Sequence, residues 1–184
     1  MNIKFCNSHI AITIALLLSP SISQAEEDSD TRTAGDILQI LIPATAYATT
    51  FVIDDEEGRT QFYKSFFTNL GITHALKVTV DKPRQENGGN YSFPSGHTSS
   101  AFQGAAFIQK RYGWKYGAPA YIGAAFVGWS RVEGESDQHD FYDVAAGAAI
   151  GILSAYYFTT PYRNMTVTPV VGTDATGINV SVSW

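Results

Sequence analysis

The stretch YSFPSGHTSSAF, Tyr91 to Phe102, brings a proline, small hydroxyl residues, a glycine and a histidine together directly before an apolar helical pattern. The first backbone N–H groups of a helix have no acceptors within the helix, and the helix dipole makes that end partly positive. Gly96 lets a ligand approach the backbone closely, and the Ser95 hydroxyl can donate a hydrogen bond. The stretch therefore predicts an anion site in which His97 faces the anion and donates a proton to a leaving oxygen. A helix capped by Ser95, with an incidental histidine, is the alternative.

Upstream, the stretch LKVTVDKPRQ, residues 76–85, places a group of cations at the end of a predicted helix. Lys77 and Arg84 lie seven positions apart, so both side chains can converge on one anion where the helix ends near Val80. Arginine offers a planar fork to phosphate oxygens, and lysine offers a compact charge. From this stretch alone, a solvated basic helix end that complements the dipole is favoured.

Downstream, the stretch SRVEGESDQHDFYD, residues 130–143, combines a cation with a histidine and an aspartate. Arg131 ends one predicted helix, and His139 and Asp143 lie four positions apart at the start of the next. One helical turn brings the Asp143 carboxylate within reach of a His139 ring nitrogen, which fixes the tautomer and raises the basicity of the other nitrogen. The alternative is a surface His–Asp pair of negligible energetic value.

Five segments of the chain have helical character, and together they predict a mostly α protein built as a helical bundle. The acidic stretch DDEEG, residues 54–58, is interpreted as a solvated turn, and KRYGWK, residues 110–115, as a basic turn. The first and last helical segments contain long uncharged runs that approach membrane-spanning length. Whether they span lipid stays open, and a compact periplasmic bundle in contact with the membrane is favoured. The predicted helices cover residues 35–53, 61–80, 96 to about 109, 116–130 and 143–158.

The ends of the 184-residue chain differ from this helical region. Residues 1–25 join Lys4, a short apolar stretch and small residues, a pattern typical of a cleaved signal peptide, with an uncleaved membrane anchor as the alternative. Residues 164–184 alternate around GTDATG and predict a C-terminal β-hairpin. Cys6, the sole cysteine, lies within the signal, so no disulfide is expected after cleavage. These features predict an exported protein of the periplasm or cell envelope.

Together and in this order, the three motif stretches resemble the signature K-x6-R-P, P-S-G-H and S-R-x5-H-x3-D of the type 2 phosphatidic acid phosphatase and vanadium haloperoxidase superfamily. The resemblance covers about residues 62–158 and implies a bundle of that kind, with residues 26–163 as the helical phosphatase domain. Gln85 replaces the proline after Arg84, and seven residues rather than five separate Arg131 from His139. Loops tolerate such insertions, so the site is expected to survive.

The resemblance implies a metal-independent phosphatase that needs no cofactor and forms a phosphohistidine intermediate. By position in the motifs, His139 would be the nucleophile, Asp143 would orient it, and His97 would protonate the leaving group. No metal site is implied, because cations and backbone N–H groups supply the positive charge. The residues that would hold the phosphate oxygens are Lys77, Arg84, Ser95, Gly96 and Arg131.

The implied substrates are phosphomonoesters or diphosphates, and lipid phosphates such as phosphatidate, phosphatidylglycerophosphate or undecaprenyl diphosphate are favoured. A vanadate-dependent haloperoxidase and a non-catalytic envelope protein with a degenerate phosphate pocket are the alternatives. The net charge of −5 argues against nonspecific nucleic-acid binding, and nothing in the sequence indicates the oligomeric state. Four acidic residues before the fifth helix either face solvent, which is favoured, or select a cationic or neutral head group; they are Glu133, Glu135, Asp137 and Asp140.

Overall fold

The computed structural model describes residues 24–84, 90–132, 139–162, 164–171 and 176–183. These residues form five helices followed by two strands, so the predicted mostly α bundle is confirmed. The helices are α1 (Gln24–Val52), α2 (Glu56–Val80), α3 (Gly96–Tyr112), α4 (Trp114–Trp129) and α5 (Phe141–Phe158).

The strands β1 (Asn164–Val171) and β2 (Thr176–Ser183) pair antiparallel, with Val167 opposite Val180. Residues 172–175, which would connect them, lie outside the described residues, so the hairpin tail stays a prediction. Residues 1–23 also lie outside them, and the signal peptide likewise stays a prediction.

Capping explains why α2 starts earlier than the apolar pattern predicted. At α2, the Asp55 side chain accepts a hydrogen bond from the Gly58 backbone N–H at 2.9 Å. Glu56 and Glu57 then occupy the first turn, where acidic side chains favour the positive end of the helix dipole. The hydrophobic periodicity begins later, at Phe62, and for that reason it did not indicate the first turn.

The acidic stretch is not solvated throughout as predicted, because Asp55 is buried in an ion pair with Arg111 of the predicted basic turn. Arg111 Nη2 lies 2.5 Å from Asp55 Oδ1, and both residues are about 3% exposed. The Tyr112 hydroxyl donates to the same carboxylate at 3.0 Å, and Arg111 Nη1 donates to the Thr160 carbonyl at 2.9 Å. Burial alone would raise the pKa of Asp55, but the hydrogen bonds from Arg111 and Gly58 outweigh it and lower that pKa. The pair ties the α1–α2 turn, the end of α3 and the segment after α5 together.

Helix α3 lies at the centre of the bundle and packs against the other four helices. Phe107 is fully buried and meets the ring of Phe62 from α2 edge to face, with 5.2 Å between centroids. Ala105 and Ala106 are also fully buried.

The backbones of α3 and α5 touch where two glycines of α5 face α3. A Cβ added at Gly151 would lie 2.4 Å from the Ser99 carbonyl oxygen, and one added at Gly147 would lie 2.5 Å from the Ser95 carbonyl oxygen. At the same end, the Ser95 backbone N–H donates to the Asp143 carbonyl at 2.9 Å. This close packing brings the beginnings of α3 and α5 together.

The variant Gly151→Ala is expected to lower the free energy of unfolding by about 1–3 kcal/mol, because its new methyl group meets backbone atoms that cannot rotate away. Gly71→Ala is the matched control, since a Cβ at that exposed position in α2 meets nothing within 4 Å. Alanine favours the helix there, so this variant should equal or exceed the wild type in stability. Thermal unfolding measures both, and a wild-type melting temperature for Gly151→Ala would contradict the proposed backbone contact.

Candidate active site

The end of α2 and the start of α3 lie against each other at one end of the bundle. A Cβ added at Gly96 would lie 3.7 Å from Cε of Lys77, so this lysine stands beside the first turn of α3. Lys77 Nζ donates to the Tyr91 carbonyl at 3.0 Å, which holds it at that position. The Arg84 guanidinium lies close enough for its charge to lower the pKa of His139.

His139 and Asp143 form the pair that their spacing predicts. His139 Nδ1 lies 3.4 Å from Asp143 Oδ2, and both side chains are buried. A carboxylate on Nδ1 favours the tautomer that carries its proton there and leaves the Nε2 lone pair free. The geometry therefore suits a nucleophilic imidazole with an orienting carboxylate.

The Asp143 carboxylate is held by two further side chains, those of Lys82 and Ser92, to which the sequence motifs assigned no role. Lys82 Nζ lies 2.8 Å from Oδ1, and the Ser92 hydroxyl donates to Oδ2. The same hydroxyl lies 3.3 Å from His139 Nδ1. Lys82 stands between the two motif cations in the sequence, which was a weak signal, whereas nothing in the sequence distinguished Ser92.

The environment of His139 disfavours its charged form. Burial and the nearby Lys77 ammonium lower the pKa of His139 to about 4, although the hydrogen bond to Asp143 acts in the opposite direction. The imidazole is therefore neutral over most of the pH range in which enzymes work, as a nucleophile must be.

His97 and Arg131 both contact the carboxylate of Asp36 from α1, a residue that the sequence motifs did not indicate. Asp36 Oδ1 lies 2.8 Å from Arg131 Nη2 and 3.1 Å from His97 Nε2. Burial and the Arg131 charge lower the pKa of His97, Asp36 raises it, and Lys77 lowers it. Lys77 thus lies near enough to affect both imidazoles, so the structure brings both histidines and the three predicted cations together.

The first turn of α3 is capped as its sequence indicates. The Ser95 hydroxyl accepts a hydrogen bond from the Thr98 backbone N–H at 3.4 Å, and the residue is fully buried. This is the capping role considered as an alternative for Ser95, so its contact with phosphate stays a prediction. Gly96 is partly exposed at the same helix end, where its backbone N–H remains a predicted phosphate ligand.

The loop before His139 is described only in part. Glu133, Glu135 and Asp137 lie outside the described residues, as does Gln85. Asp140 is described, and its side chain caps α5 through the Asp143 backbone N–H at 3.0 Å. It also lies 2.5 Å from Lys82 Nζ. Asp140 therefore stabilises the start of α5.

Comparison with known proteins gives this site a family. The model of the PAP2 superfamily matches residues 51–166, a span that contains all three motifs. A lipid A 4'-phosphatase of Helicobacter pylori is 28% identical over 141 residues, which are 70% of this chain and 69% of that protein. A lipid A 1-phosphatase of Porphyromonas gingivalis is 36% identical over 86 residues, which are 45% of this chain but 19% of that longer protein.

Two solved structures share the fold. The crystal structure of Aquifex aeolicus LpxE has a TM-score of 0.62 and 20% sequence identity, covering 73% of this chain and 86% of that one. The transmembrane PAP2 type phosphatidylglycerolphosphate phosphatase from Bacillus subtilis has a TM-score of 0.54 and 22% identity, covering 74% and 77%. Because the family model spans more than half of the chain, and the fold and the motif geometry agree with it, the chain belongs to the PAP2 superfamily and is a phosphoric ester hydrolase.

Proposed function

We propose that the chain is a metal-independent lipid phosphatase that cleaves phosphomonoesters or diphosphates through a phosphohistidine at His139. The proposal rests chiefly on the buried His139–Asp143 pair, whose Nδ1 and Oδ2 lie 3.4 Å apart beside a group of cations. Lys77, Arg84 and Arg131 supply the positive charge that a phosphate requires.

In the first step, the Nε2 lone pair of His139 attacks phosphorus, and Asp143 stabilises the charge that develops on the ring. The nitrogen–phosphorus bond forms while the ester or anhydride oxygen–phosphorus bond breaks. His97 gives its proton to the departing oxygen, so the alcohol or phosphate leaves without a costly negative charge. The three cations bind the remaining phosphoryl oxygens, where charge develops in the transition state.

In the second step, water attacks the phosphohistidine. His97 is now neutral and takes a proton from that water, which reverses its first role. The nitrogen–phosphorus bond breaks, His139 regains its neutral form, and inorganic phosphate leaves. Both histidines return to their starting states, so the cycle balances.

The surface of the bundle supports a lipid substrate. Large apolar side chains are exposed on α1, α2, α4 and α5, whereas polar side chains of α2 and α3 hydrogen-bond inside. Phe67 and Leu70 of α2 are 62% and 53% exposed. A surface this apolar indicates contact with lipid. Other exposed apolar residues are Ile37, Ile40, Leu41, Val52, Ile122, Leu153 and Tyr157.

We therefore place the protein at a membrane of the cell envelope, with a lipid-linked phosphate as substrate. Among the described helices, α5 alone is long and apolar enough to cross a membrane by length and composition. The names of the two curated relatives add lipid A to phosphatidate, phosphatidylglycerophosphate and undecaprenyl diphosphate as substrates to test.

The variant His139→Ala is expected to lose at least about 10³-fold in kcat, because it removes the nucleophile. Wild-type activity should persist in EDTA, and labelled phosphate should be trapped on the wild type and absent from the variant. His74→Ala is the matched control, since His74 is exposed on α2 and lies outside the three motif stretches. Full activity of His139→Ala in EDTA would overturn the mechanism.

The pH profile of kcat/KM should be bell-shaped with an acidic optimum. His139 must be neutral, so activity rises with pH through its pKa of about 4. His97 must be protonated, so activity falls as pH rises through its pKa, which lies below the ordinary 6.5. The His97→Gln profile should lack the alkaline limb. Division of the wild-type profile by it cancels the titration of the substrate and of His139, so the quotient should show the His97 limb alone. An optimum in clearly alkaline solution would contradict these assignments.

Cell fractionation tests the proposed location. The exposed apolar surface predicts that the protein sediments with membranes, resists extraction by alkaline carbonate and enters solution with detergent. A soluble periplasmic protein released by osmotic shock serves as the control. Release of the chain together with that control would contradict contact with lipid.

A further inference from the structure

Asp36 is the one described carboxylate within ion-pair distance of His97. Its Oδ1 atom contacts both Arg131 Nη2, at 2.8 Å, and His97 Nε2, at 3.1 Å. The carboxylate therefore joins the proposed general acid to a proposed phosphate ligand. It comes from α1, outside the three motif stretches.

Close packing fixes α1 at this position. A Cβ added at Gly35 would lie 2.2 Å from Ser130 Oγ and 2.7 Å from Arg131 Nη2, so the helix backbone lies directly against these residues. Arg131 Nη2 also donates to the Arg32 carbonyl at 3.1 Å. One turn further along α1, the Ser100 hydroxyl of α3 donates to the Gln39 carbonyl at 3.2 Å. Asp36 is thus held at the site by contacts on both sides of it.

The charges around His97 explain why the site needs this carboxylate. Burial and the cations Arg131, Lys77 and Arg32 lower the pKa of His97, and Asp36 raises it. These cations come from the end of α4, from α2 and from α1 itself. Without a carboxylate, the group that must donate a proton would stand neutral among positive charges.

We propose that Asp36 is a positioning residue for the reaction: its carboxylate holds His97 and Arg131 in place and stabilises the imidazolium form of His97. The site then contains two His–Asp pairs with opposite functions. Asp143 orients the nucleophile His139, and Asp36 maintains the proton of His97. This inference rests on the proposed phosphatase function.

If Asp36 stabilises the proton of His97, the loss of activity on replacing Asp36 should depend on the leaving group. A nitrophenolate leaves readily without a proton, whereas an alkoxide requires one, so a weakened general acid slows alkyl phosphates selectively. A purely structural role would slow both substrates equally. A carboxylate that only competes with phosphate would leave kcat and the leaving-group dependence unchanged.

The experiment compares wild type, Asp36→Asn and Asp36→Glu in detergent, with nitrophenyl phosphate and a short-chain phosphatidate. Asp36→Asn should lose about tenfold or more in kcat/KM, which reports formation of the phosphohistidine alone, with the phosphatidate and less than about threefold with nitrophenyl phosphate. The alkaline limb of kcat/KM should lie at lower pH in Asp36→Asn than in the wild type. The ratio of the variant profile to the wild-type profile cancels substrate ionisation, and it should therefore fall as pH rises through that limb. Asp36→Glu should recover part of both effects.

Asp54→Asn is the control, because it removes the same charge from the turn just beyond the far end of α1, where the Asp54 side chain is 91% exposed. It should match the wild type on both substrates. Equal losses on both substrates for Asp36→Asn, or an unmoved alkaline limb, would overturn the inference. Failure of the wild type on both substrates would instead overturn the proposed function.

Discussion

Contact between the α3 and α5 backbones is the constraint on which the site depends. Gly147 and Gly151 bring α5 within van der Waals reach of α3 carbonyl oxygens, and the Ser95 N–H bonds to the Asp143 carbonyl at 2.9 Å. The helix beginning that carries His97 is thereby joined to the helix beginning that follows His139. A larger side chain at either glycine would separate the two ends. Reaction at a tetrahedral phosphate depends on positions held to a fraction of an ångström, so packing in the centre of the bundle bears directly on chemistry at its end.

The proposed mechanism requires opposite protonation states of the two histidines within one group of cations. Lys77 lowers the pKa of both imidazoles, which suits the proposed nucleophile and opposes the proposed acid. Burial and Lys77 lower the pKa of His139 to about 4 although Asp143 opposes them, and the Asp143 carboxylate is itself shared with Lys82 and Ser92. Asp36 is half exposed, and its Oδ1 atom contacts His97 Nε2 at 3.1 Å and Arg131 Nη2 at 2.8 Å. The different partners of the two carboxylates thus separate the roles of two chemically identical rings, as pairs of titratable groups do in other acid–base sites.

The parts of this structure that could be predicted from sequence are those whose signals are local. The start of α3 at Gly96 follows from its serine cap, and the His139–Asp143 pair follows from a four-residue spacing on a helix. The Arg111–Asp55 pair could not be foreseen, because 56 positions separate partners that each suit a solvated turn. Asp36 gave a faint signal as the one charge in the predicted first helix, but its partner Arg131 lies 95 positions away, just after α4. The sequence also could not predict which apolar side chains are exposed, since the pattern of an apolar helix face is the same whether the face packs in a core or contacts lipid.

Hydrogen bonds between buried polar side chains of α2 and α3 affect how the two helices are aligned at the site. Ser99 of α3 lies 3.1 Å from the Thr73 hydroxyl of α2, one helical turn before Lys77, and it follows Gly96 by three residues. One turn deeper, Gln103 Nε2 donates to Ser65 Oγ at 2.8 Å. Apolar contacts let two helices slide, whereas paired hydrogen bonds between buried side chains favour one register. In contact with lipid, where apolar burial between helices gives little driving force, such bonds and close small-residue contacts determine the packing. The polar row between α2 and α3 therefore fixes the position of Lys77 along the bundle, beside Gly96.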